Sequence, residues 1–409
     1  MTDMDSNSRF LLKMFRRYYK ENPIIMPSRF GRREFGFMYF DRDFMQRHLA
    51  FSNSTDLQKF MIAQVPRHSY YSTAYYRKPD APTMEEKTWL GADLIFDLDA
   101  DHLEGADSMS YTEMMNQIKK EMIHLVDTFL FDDLGFGEDQ VDIVFSGGRG
   151  YHAHIELNDI VGLGTHERRE IVDFITSTGL NIDWVFPYDK MVTSKANING
   201  QERANVSRNR TIPPADAGGW RLRMRNGLRD VVNDVCDMDP KDLKRTYPSI
   251  KSTQNKSIEG YAQDLRGSRN LIFENNRMAT LKKGTQDFLI KIMAEDVAHR
   301  LSGEVDEPVT ADIKRLIRLP GSLHGKTGLK VVPLTRSQLD GFDPLTDAMP
   351  SEYTDDPVTV TMRKDMDIRI KGTDLHLKGT TEVPEYAAPF LIGRKYADIG
   401  DGQKKDLLF

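Results

Sequence analysis

A short apolar strand that runs into closely spaced carboxylates constrains this chain more than any other feature. The segment is Asp93-Leu-Ile-Phe-Asp-Leu-Asp-Ala-Asp-His102. Side chains alternate along a strand, so Asp97 and Asp99 share one face and Leu94, Phe96 and Leu98 share the other. Two ionised carboxylates this close repel each other, and a pair of divalent cations would compensate them. The alternative is a strand end that runs into an acidic, solvent-exposed turn.

The cysteine content limits the kind of metal site. Cys236 is the only cysteine, so disulfides within the chain and thiolate-rich zinc or iron–sulfur sites are excluded. Oxygen ligands from Asp and Glu suit magnesium or manganese, and we therefore expect two Mg²⁺ or Mn²⁺ ions and no zinc. Asp101 has the same parity as Asp97 and Asp99, but we expect it to lie past the strand end and leave it out of the ligand set.

A glycine-rich turn between two predicted strands, 141–145 and 151–157, suggests a phosphate contact. Its sequence is Ser146-Gly-Gly-Arg-Gly150, in which Ser146 and Arg149 can donate to phosphate oxygens. The second strand places His152 and His154 on one face, and His152 is nearer the turn. A hairpin whose glycines only satisfy turn geometry would explain the glycines but not these polar residues. A His-x-His zinc site is a further alternative, without an obvious third ligand.

A third segment, 306–328, combines acidic and basic residues with a second glycine-rich loop. Arg318 lies in an apolar run, where an unpaired guanidinium is costly, so it needs an anion such as a triphosphate or an internal Asp. His324 follows in the loop. Asp306 or Asp312 could complete the metal site begun by the carboxylate strand.

The hydrophobic periodicity predicts an α+β fold. We expect a catalytic core of mixed or antiparallel sheets with flanking helices, formed by residues 1–164 and 304–409 and interrupted by a mainly helical insertion, 165–303. The predicted helices are 8–20, 111–130, 165–177, 229–235 and 285–301, with polar, Arg- and Asn-rich loops between the last three. The predicted strands, besides those beside the turn, are 33–40, 70–76, 92–99, 316–319, 330–334 and 358–362.

The charge distribution says more than the net charge of −6. Residues 201–229 contain seven Arg against one Glu and one Asp, so this stretch is locally basic. It could guide a nucleic-acid template, or it could be a disordered or partner-facing loop. No apolar run approaches the roughly 18 residues that span a bilayer, and the N-terminus does not read as a signal peptide. We therefore expect a cytoplasmic protein.

Taken together, three ordered motifs resemble the catalytic small subunit of archaeal and eukaryotic DNA primases. They are FDLDADHL at 96–103, SGGRGYHAHI at 146–155, and the stretch from Asp306 through LIRLPGSLHGKTG at 316–328. The aromatic-rich segments 33–40 and 70–79 support the match. Many members of that family carry a cysteine-rich zinc knuckle, which a chain with one cysteine lacks. We therefore expect this chain to lack whatever that module contributes to template handling or partner contact.

The resemblance assigns roles to individual residues. It implies metal-binding and catalytic roles for Asp97, Asp99 and Asp306. It also implies a set of side chains that hold the incoming nucleotide. These are Ser146, Arg149, His152, Arg318 and His324, with Arg47 as a further nucleotide-site arginine.

The activity that the resemblance implies is de novo synthesis of short RNA primers on single-stranded DNA during DNA replication. Ribonucleoside triphosphates would be the substrates, with a capacity for deoxynucleotides compatible with the same site. The family works as a heterodimer with a large subunit, and the insertion or the apolar segment 387–392 could form that interface. The alternatives are a primer-extending repair polymerase of the same superfamily, a two-metal phosphohydrolase and a nucleotide-binding regulatory subunit.

Overall fold

The computed structural model describes residues 4–100, 103, 105–198 and 201–400, without the side chains of residue 107, residues 191–198 and residues 201–207. Asp101 therefore lies outside the described residues, as does the side chain of Arg203 in the basic stretch. Helices and antiparallel sheets both contribute, so the fold class is α+β as predicted. Within the described residues, no helix is long and apolar enough to cross a membrane.

The strands are mostly short. In chain order they are β1 Phe35–Met38, β2 Gln46–Leu49, β3 His68–Ser72, β4 Ala74–Tyr76, β5 Trp89–Ala92, β6 Leu94–Asp99, β7 Val141–Phe145, β8 Gly150–Ile155, β9 Tyr188–Ile198, β10 Gln201–Arg210, β11 Leu316–Arg318, β12 Val332–Leu334, β13 Pro357–Met362, β14 Met366–Ile370, β15 Thr373–Leu377, β16 Thr380–Pro384 and β17 Ala397–Ile399.

The helices vary more in length. They are α1 Ser6–Glu21, α2 Ser54–Gln64, α3 Met84–Lys87, α4 Tyr111–His124, α5 Thr165–Ile175, α6 Ile182–Val185, α7 Gly219–Asp237, α8 Pro240–Thr246, α9 Asn255–Arg266, α10 Leu271–Glu274, α11 Lys283–Ile292, α12 Ala298–Arg300, α13 Glu307–Ala311, α14 Arg336–Gly341, α15 Pro344–Asp347 and α16 Ala388–Gly393. Helix α4 begins at a capping box, in which Ser110 and Glu113 each bond the other's backbone N–H.

Two four-stranded antiparallel sheets position the polar motifs. One has the order β12-β7-β8-β6 and contains the carboxylate strand and both strands beside the glycine-rich turn. The other has the order β11-β3-β1-β2 and contains Arg318 at the end of β11. On one face of β6 and β8 the paired residues are apolar, and Leu94, Phe96 and Ile155 are fully buried. This packing fixes the polar ends of β6 and β8.

The chain divides into two compact units. The first comprises residues 1–131, 135–171 and 304–409, and the second comprises residues 132–134 and 172–303. Helices α7, α9 and α11 pack against one another in the second unit. That residues 165–303 act as an insertion subdomain stays a prediction.

Several local predictions were wrong. The predicted strand 70–76 is two strands in different sheets, β3 and β4, because the chain changes direction at Thr73. The Arg-rich segment after residue 187 is not loop: β9 and β10 form a hairpin, and α7 begins at Gly219 rather than near residue 229. The apolar segment 387–392 is not available as a partner surface, since it is buried in the core, where α16 packs against α1.

Candidate active site

The carboxylate strand lies next to the strand that follows the glycine-rich turn. In the antiparallel register of β6 and β8, Asp97 lies opposite His152 and Asp99 lies opposite Gly150. Residues opposite one another on neighbouring strands point to the same face. His152 Nε2 accordingly lies 3.1 Å from Asp97 Oδ1. Both carboxylates are partly exposed, whereas the apolar residues between them are buried.

A cavity of about 460 Å³ opens on this face and brings together most of the predicted site residues. The predicted site residues that line it are Asp97, Asp99, Ser146, Arg149, His152, Arg318 and His324. Its wall thus combines two carboxylates with several cationic groups, the guanidiniums of Arg149 and Arg318 among them. Such an arrangement suits a substrate that carries both a metal-binding group and a dense negative charge.

The glycine-rich turn is held in place from three sides. The Tyr111 hydroxyl donates to the Gly148 carbonyl at 2.7 Å. The Ala100 N–H donates to the Arg149 carbonyl at 3.1 Å. A Cβ on Gly150 would come within 2.2 Å of the Leu98 carbonyl oxygen, and Gly147 has a φ of +73° and packs on His324. The glycines therefore permit close packing against the site as well as the turn itself.

Arg318 reaches the cavity between two histidines. Its Nη1 lies 2.7 Å from His68 Nδ1, and its Nη2 lies 2.9 Å from His324 Nε2. An arginine can only donate, so both ring nitrogens accept. The guanidinium also stacks on Tyr70, with 4.5 Å to the ring centroid. This contact holds the arginine against the wall of the cavity.

The partners of Arg318 carry no negative charge. Burial, followed by the nearby charge of Arg318, lowers the pKa of His68 to about 2 and that of His324 well below its ordinary value. Both imidazoles are therefore neutral near pH 7. Among the residues that the structure describes, Arg318 makes no ion pair within 4 Å. Burial lowers the pKa of Arg318, and Tyr70, Asp99 and Asp97 act against that effect. Its charge therefore faces the cavity and the two carboxylates, with neutral imidazoles as its hydrogen-bond partners.

Asp306 approaches the carboxylate pair from another element. It caps helix α13, and its N–H donates to the Asp97 carbonyl at 3.1 Å. A small cavity of about 120 Å³ is lined by Asp97, Asp99 and Asp306 together. Asp312 instead ends α13, and its side chain accepts from the Lys314 N–H. The geometry favours Asp306 over Asp312 as the third carboxylate, and its metal-binding role stays a prediction.

Arg47 lines neither the main cavity nor the small cavity beside Asp306. Its Nε lies 3.0 Å from Glu34 Oε1, and the ammonium of Lys87 lies 3.0 Å from the other oxygen of the same carboxylate. The Glu34 side chain is fully buried, so it requires compensating cations. Among other contacts, these two hydrogen-bonded cations lower the pKa of Glu34 although burial alone would raise it. A nucleotide contact by Arg47 stays a prediction.

The donor set fits hard divalent cations. Within the described residues, no three His, Cys, Asp or Glu side chains lie close enough to hold a metal ion by themselves. Magnesium in transfer enzymes is commonly bound by one or two carboxylates together with substrate phosphates, so it needs no such cage. Asp97 and Asp99 supply that kind of partial site. His152 and His154, the pair considered for zinc, stack with ring centroids 5.8 Å apart.

Other residues of the cavity wall were not among the predicted site residues. These are Tyr70, Gly148, Val309, Arg315, Leu316, Ile317, Lys326, Thr327 and Arg394. Lys326 had a sequence signal, since it lies in the glycine-rich loop after Arg318. Arg394 had none: it follows helix α16, whose Gly393 packs tightly on the backbone of Lys326. Only the folded arrangement brings it beside Arg149, with which it also lines a neighbouring cavity.

An α+β fold that sets paired carboxylates opposite a cationic wall defines a class, the phosphate-transferring enzymes that work with divalent metals. Comparison with known proteins narrows that class. A sequence model described as "DNA primase small subunit" matches residues 96–336. Proteins named DNA primase small subunit PriS match nearly the whole chain.

Three relatives illustrate the extent of the match. The protein from Methanococcoides burtonii is 40% identical over 403 residues, covering 97% of this chain and 100% of the relative. That from Methanocella arvoryzae is 40% identical, covering 96% and 99%. That from Natronomonas pharaonis is 34% identical, again covering 96% and 99%. This chain belongs to the DNA primase small-subunit family, and it is a primase, a nucleotidyltransferase of DNA replication.

Proposed function

We propose that this chain synthesises short RNA primers de novo on single-stranded DNA from ribonucleoside triphosphates, in the cytoplasm and together with a primase large subunit. The observation that carries the proposal is the single cavity in which Asp97 and Asp99 lie together with Arg149 and Arg318. The family supports primer synthesis, and no observation favours the primer-extending repair polymerase.

Asp97, Asp99 and Asp306 would hold two divalent ions, Mg²⁺ or Mn²⁺. Bound ions of this kind activate the attacking 3′-hydroxyl and stabilise the charge that develops on the leaving pyrophosphate. The Asp306 N–H on the Asp97 carbonyl ties the two backbone segments together. Nε2 of His152, 3.1 Å from Asp97 Oδ1, would fix the orientation of that carboxylate. The oxygen ligands would thus be pre-positioned before the nucleotide arrives.

The cationic side chains would bind the triphosphate. Arg318, hydrogen-bonded to neutral histidines, would direct its charge at the β- and γ-phosphates. Ser146 and Arg149 approach from the glycine-rich turn, and His324 completes the cradle beside Arg318. These donors are held by the fold, so they need little rearrangement as negative charge moves onto pyrophosphate. Arg47 would join them only if a bound nucleotide drew it away from Glu34.

The test is primer synthesis without a primer. The chain would be incubated with single-stranded DNA, labelled ATP, the other nucleoside triphosphates and Mg²⁺ or Mn²⁺. Parallel samples would carry Asp97→Asn, Asp99→Asn, or Asp139→Asn as an exposed carboxylate control. We expect short labelled oligomers from the parent and the control and none from the two site variants. Equal product from Asp97→Asn and the parent would overturn the site assignment.

An annealed primer separates initiation from extension. If the parent alone is silent without a primer but extends one, the assay is repeated with the large subunit present. Oligomers that appear only with the large subunit support the proposal, with initiation dependent on the partner. If an annealed primer is extended but no oligomer forms without a primer, even with the large subunit present, the result would instead support the repair-polymerase alternative.

A further inference from the structure

The second unit contains a cavity that the reaction does not use. Its volume is about 460 Å³, and helix α7 supplies Arg225, Arg229 and Asn233 to its wall. Residues four positions apart lie on one face of a helix, so these three side chains form a continuous polar stripe. The segment before and within α10 supplies the opposite wall. Two of its lining residues, Arg225 and Arg229, belong to the basic stretch 201–229 that the sequence suggested for template contact.

Arg225 is buried without a carboxylate partner. It is 5% exposed, and its guanidinium donates to the carbonyls of Pro213 and Phe273 and to Asn276 Oδ1. Among the described residues it makes no ion pair. Burial lowers the pKa of Arg225, and the neighbouring charge of Arg229 lowers it further. The positive charge of this pair is therefore concentrated rather than compensated.

Another buried arginine shows that this is not the general rule. Arg168 is 1% exposed and likewise donates to backbone carbonyls, those of Ala92, Asp93 and Leu163. Its surroundings differ, because the carboxylates of Asp93 and Asp312 raise its pKa against the effect of burial. Around Arg225 the neighbouring charge has the opposite sign. An external anion would complete that site.

The rest of the wall is suited to an oxyanion. The guanidinium groups of Arg225 and Arg229 both lie over the Phe273 ring, at 5.5 and 4.9 Å from its centroid. Arg269 adds a third positive charge, partly offset by its ion pair with Asp237. The exposed Glu274 also lines the cavity and opposes anion binding. Three cations against this one carboxylate leave the wall positive.

We propose that this cavity binds a phosphate group. Guanidinium groups bind phosphate oxygens through paired N–H donors, and the amides of Asn233 and Asn270 add donors at the rim. The phosphate can belong to a nucleic-acid strand or to a free polyphosphate, and the chemistry is the same. The site is independent of the metal-binding carboxylates, so its failure would leave the proposed function intact.

Two other arginines of the basic stretch, Arg210 and Arg223, have internal roles. Arg223 forms an ion pair with Asp133, and both side chains are largely buried. Arg210 pairs with Asp183 at 2.5 Å and stacks on Tyr188. Substitution of these residues would disturb the unit itself. Arg229 is exposed and forms no ion pair within the described residues, so it is the appropriate position for a test.

The test measures binding of a labelled single-stranded oligonucleotide by anisotropy, in EDTA and without nucleotides, across a salt series. Arg229→Gln is compared with Arg245→Gln, which removes the same charge from an exposed position in the same unit. We expect Arg229→Gln to weaken binding about three- to tenfold and to reduce the log–log salt slope by about one, as for one lost phosphate contact. The control should match the parent.

A second arm distinguishes the source of the phosphate. The Arg318→Met variant is used as the background, because it should bind phosphate less tightly in the active-site cavity. Inorganic tripolyphosphate is added, and the rise in unfolding midpoint is compared between Arg318→Met and the double variant that also carries Arg229→Gln. Loss of that rise with unchanged DNA binding supports a free polyphosphate, and loss of DNA binding supports a strand. If Arg229→Gln matches Arg245→Gln in both arms, the proposal is overturned.

Discussion

Two arginines in the same unit, the buried Arg33 and the partly buried Arg318, differ in what surrounds their charge. Arg33 lies 2.7 Å from Asp93 in an ion pair whose side chains are both 0% exposed, and the Tyr75 hydroxyl donates to the same carboxylate. Arg318 instead donates its hydrogen bonds to neutral imidazoles, those of His68 and His324. We call the Arg33 cluster closed, because a hydrogen-bonded carboxylate balances the charge of its arginine. We call the Arg318 cluster open, because the hydrogen-bond partners of its arginine are neutral and its charge faces the cavity.

The difference separates a structural role from a substrate-binding one. Around Arg33 every donor has an internal acceptor, including the carbonyls of Ser28 and Ser72, so the cluster ties β1, β3 and the segment before β6 together. Around Arg318 the neutral histidines fix the position of the guanidinium without consuming its charge. A closed cluster should therefore govern stability, and an open one should govern nucleotide transfer.

The largest expected effect tests the closed cluster. Arg33→Met leaves Asp93 buried without its cation, and the free energy of unfolding should fall by about 3–5 kcal/mol. Urea unfolding followed by circular dichroism measures it. If that variant does not fold, Tyr75→Phe removes one hydrogen bond to the same carboxylate and should cost about 1–3 kcal/mol. Native stability in Tyr75→Phe would show that the cluster is not what holds these strands.

The open cluster should respond in the opposite way. Arg318→Met removes one donor to the developing charge, so kcat/KM for nucleotide addition should drop about 10²–10³-fold. Its partners are neutral, and the free energy of unfolding should change by about 1 kcal/mol or less. Primer-extension kinetics and urea unfolding on the same preparation test both statements, with the exposed Arg363→Met as control. A large stability loss with unchanged kinetics would reverse the comparison.

The neutral histidines predict a pH dependence of stability. The pKa of His68 is about 2 in the folded protein and about 6.5 in the unfolded chain. Between these values only the unfolded chain takes up the proton, so stability falls as the pH drops below about 6.5, by up to about 1.4 kcal/mol per pH unit. His68→Asn keeps an acceptor for Arg318 but cannot titrate. Its stability should fall less steeply from pH 6.5 to 5, and an identical slope would contradict this assignment.

The smallest effect concerns Arg47. Its side chain is 38% exposed and pairs with Glu34, which also contacts Lys87. Arg47→Ala should lower the free energy of unfolding by about 0.5–1 kcal/mol, as for a partly exposed ion pair. Steady-state kinetics of the same variant give the KM for ATP. A rise in KM above about threefold would support the nucleotide contact that the family resemblance implies.

The carboxylate strand and its neighbour were predictable because alternation is a local rule. Apolar residues before Asp97 define the strand, and the two-residue period fixes which carboxylates share a face. The same period puts His152 on the polar face of β8, and the short turn at 146–150 brings β7 and β8 together. These features depend only on residues close in sequence.

The partners of the arginines were not predictable in this way. Arg33 and Asp93, or Arg47 and Glu34, meet only after β1, β2 and the segment before β6 have assembled. Nothing local distinguishes Arg394, which reaches the cavity from a helix that follows the last motif. The β9–β10 hairpin was missed because residues 188–210 are mostly polar, and their few apolar residues give no sustained alternation.

The comparison is tested most directly by nucleotide-linked stabilisation. The unfolding midpoint of the parent, Arg318→Met and Tyr75→Phe is measured with and without ATP and Mg²⁺, without DNA. A ligand at 100 times its Kd stabilises by about 2.7 kcal/mol, so the parent should show a clear rise. We expect an undiminished rise in the less stable Tyr75→Phe and little or none in Arg318→Met. An equal rise in Arg318→Met, or its loss in Tyr75→Phe alone, would contradict it.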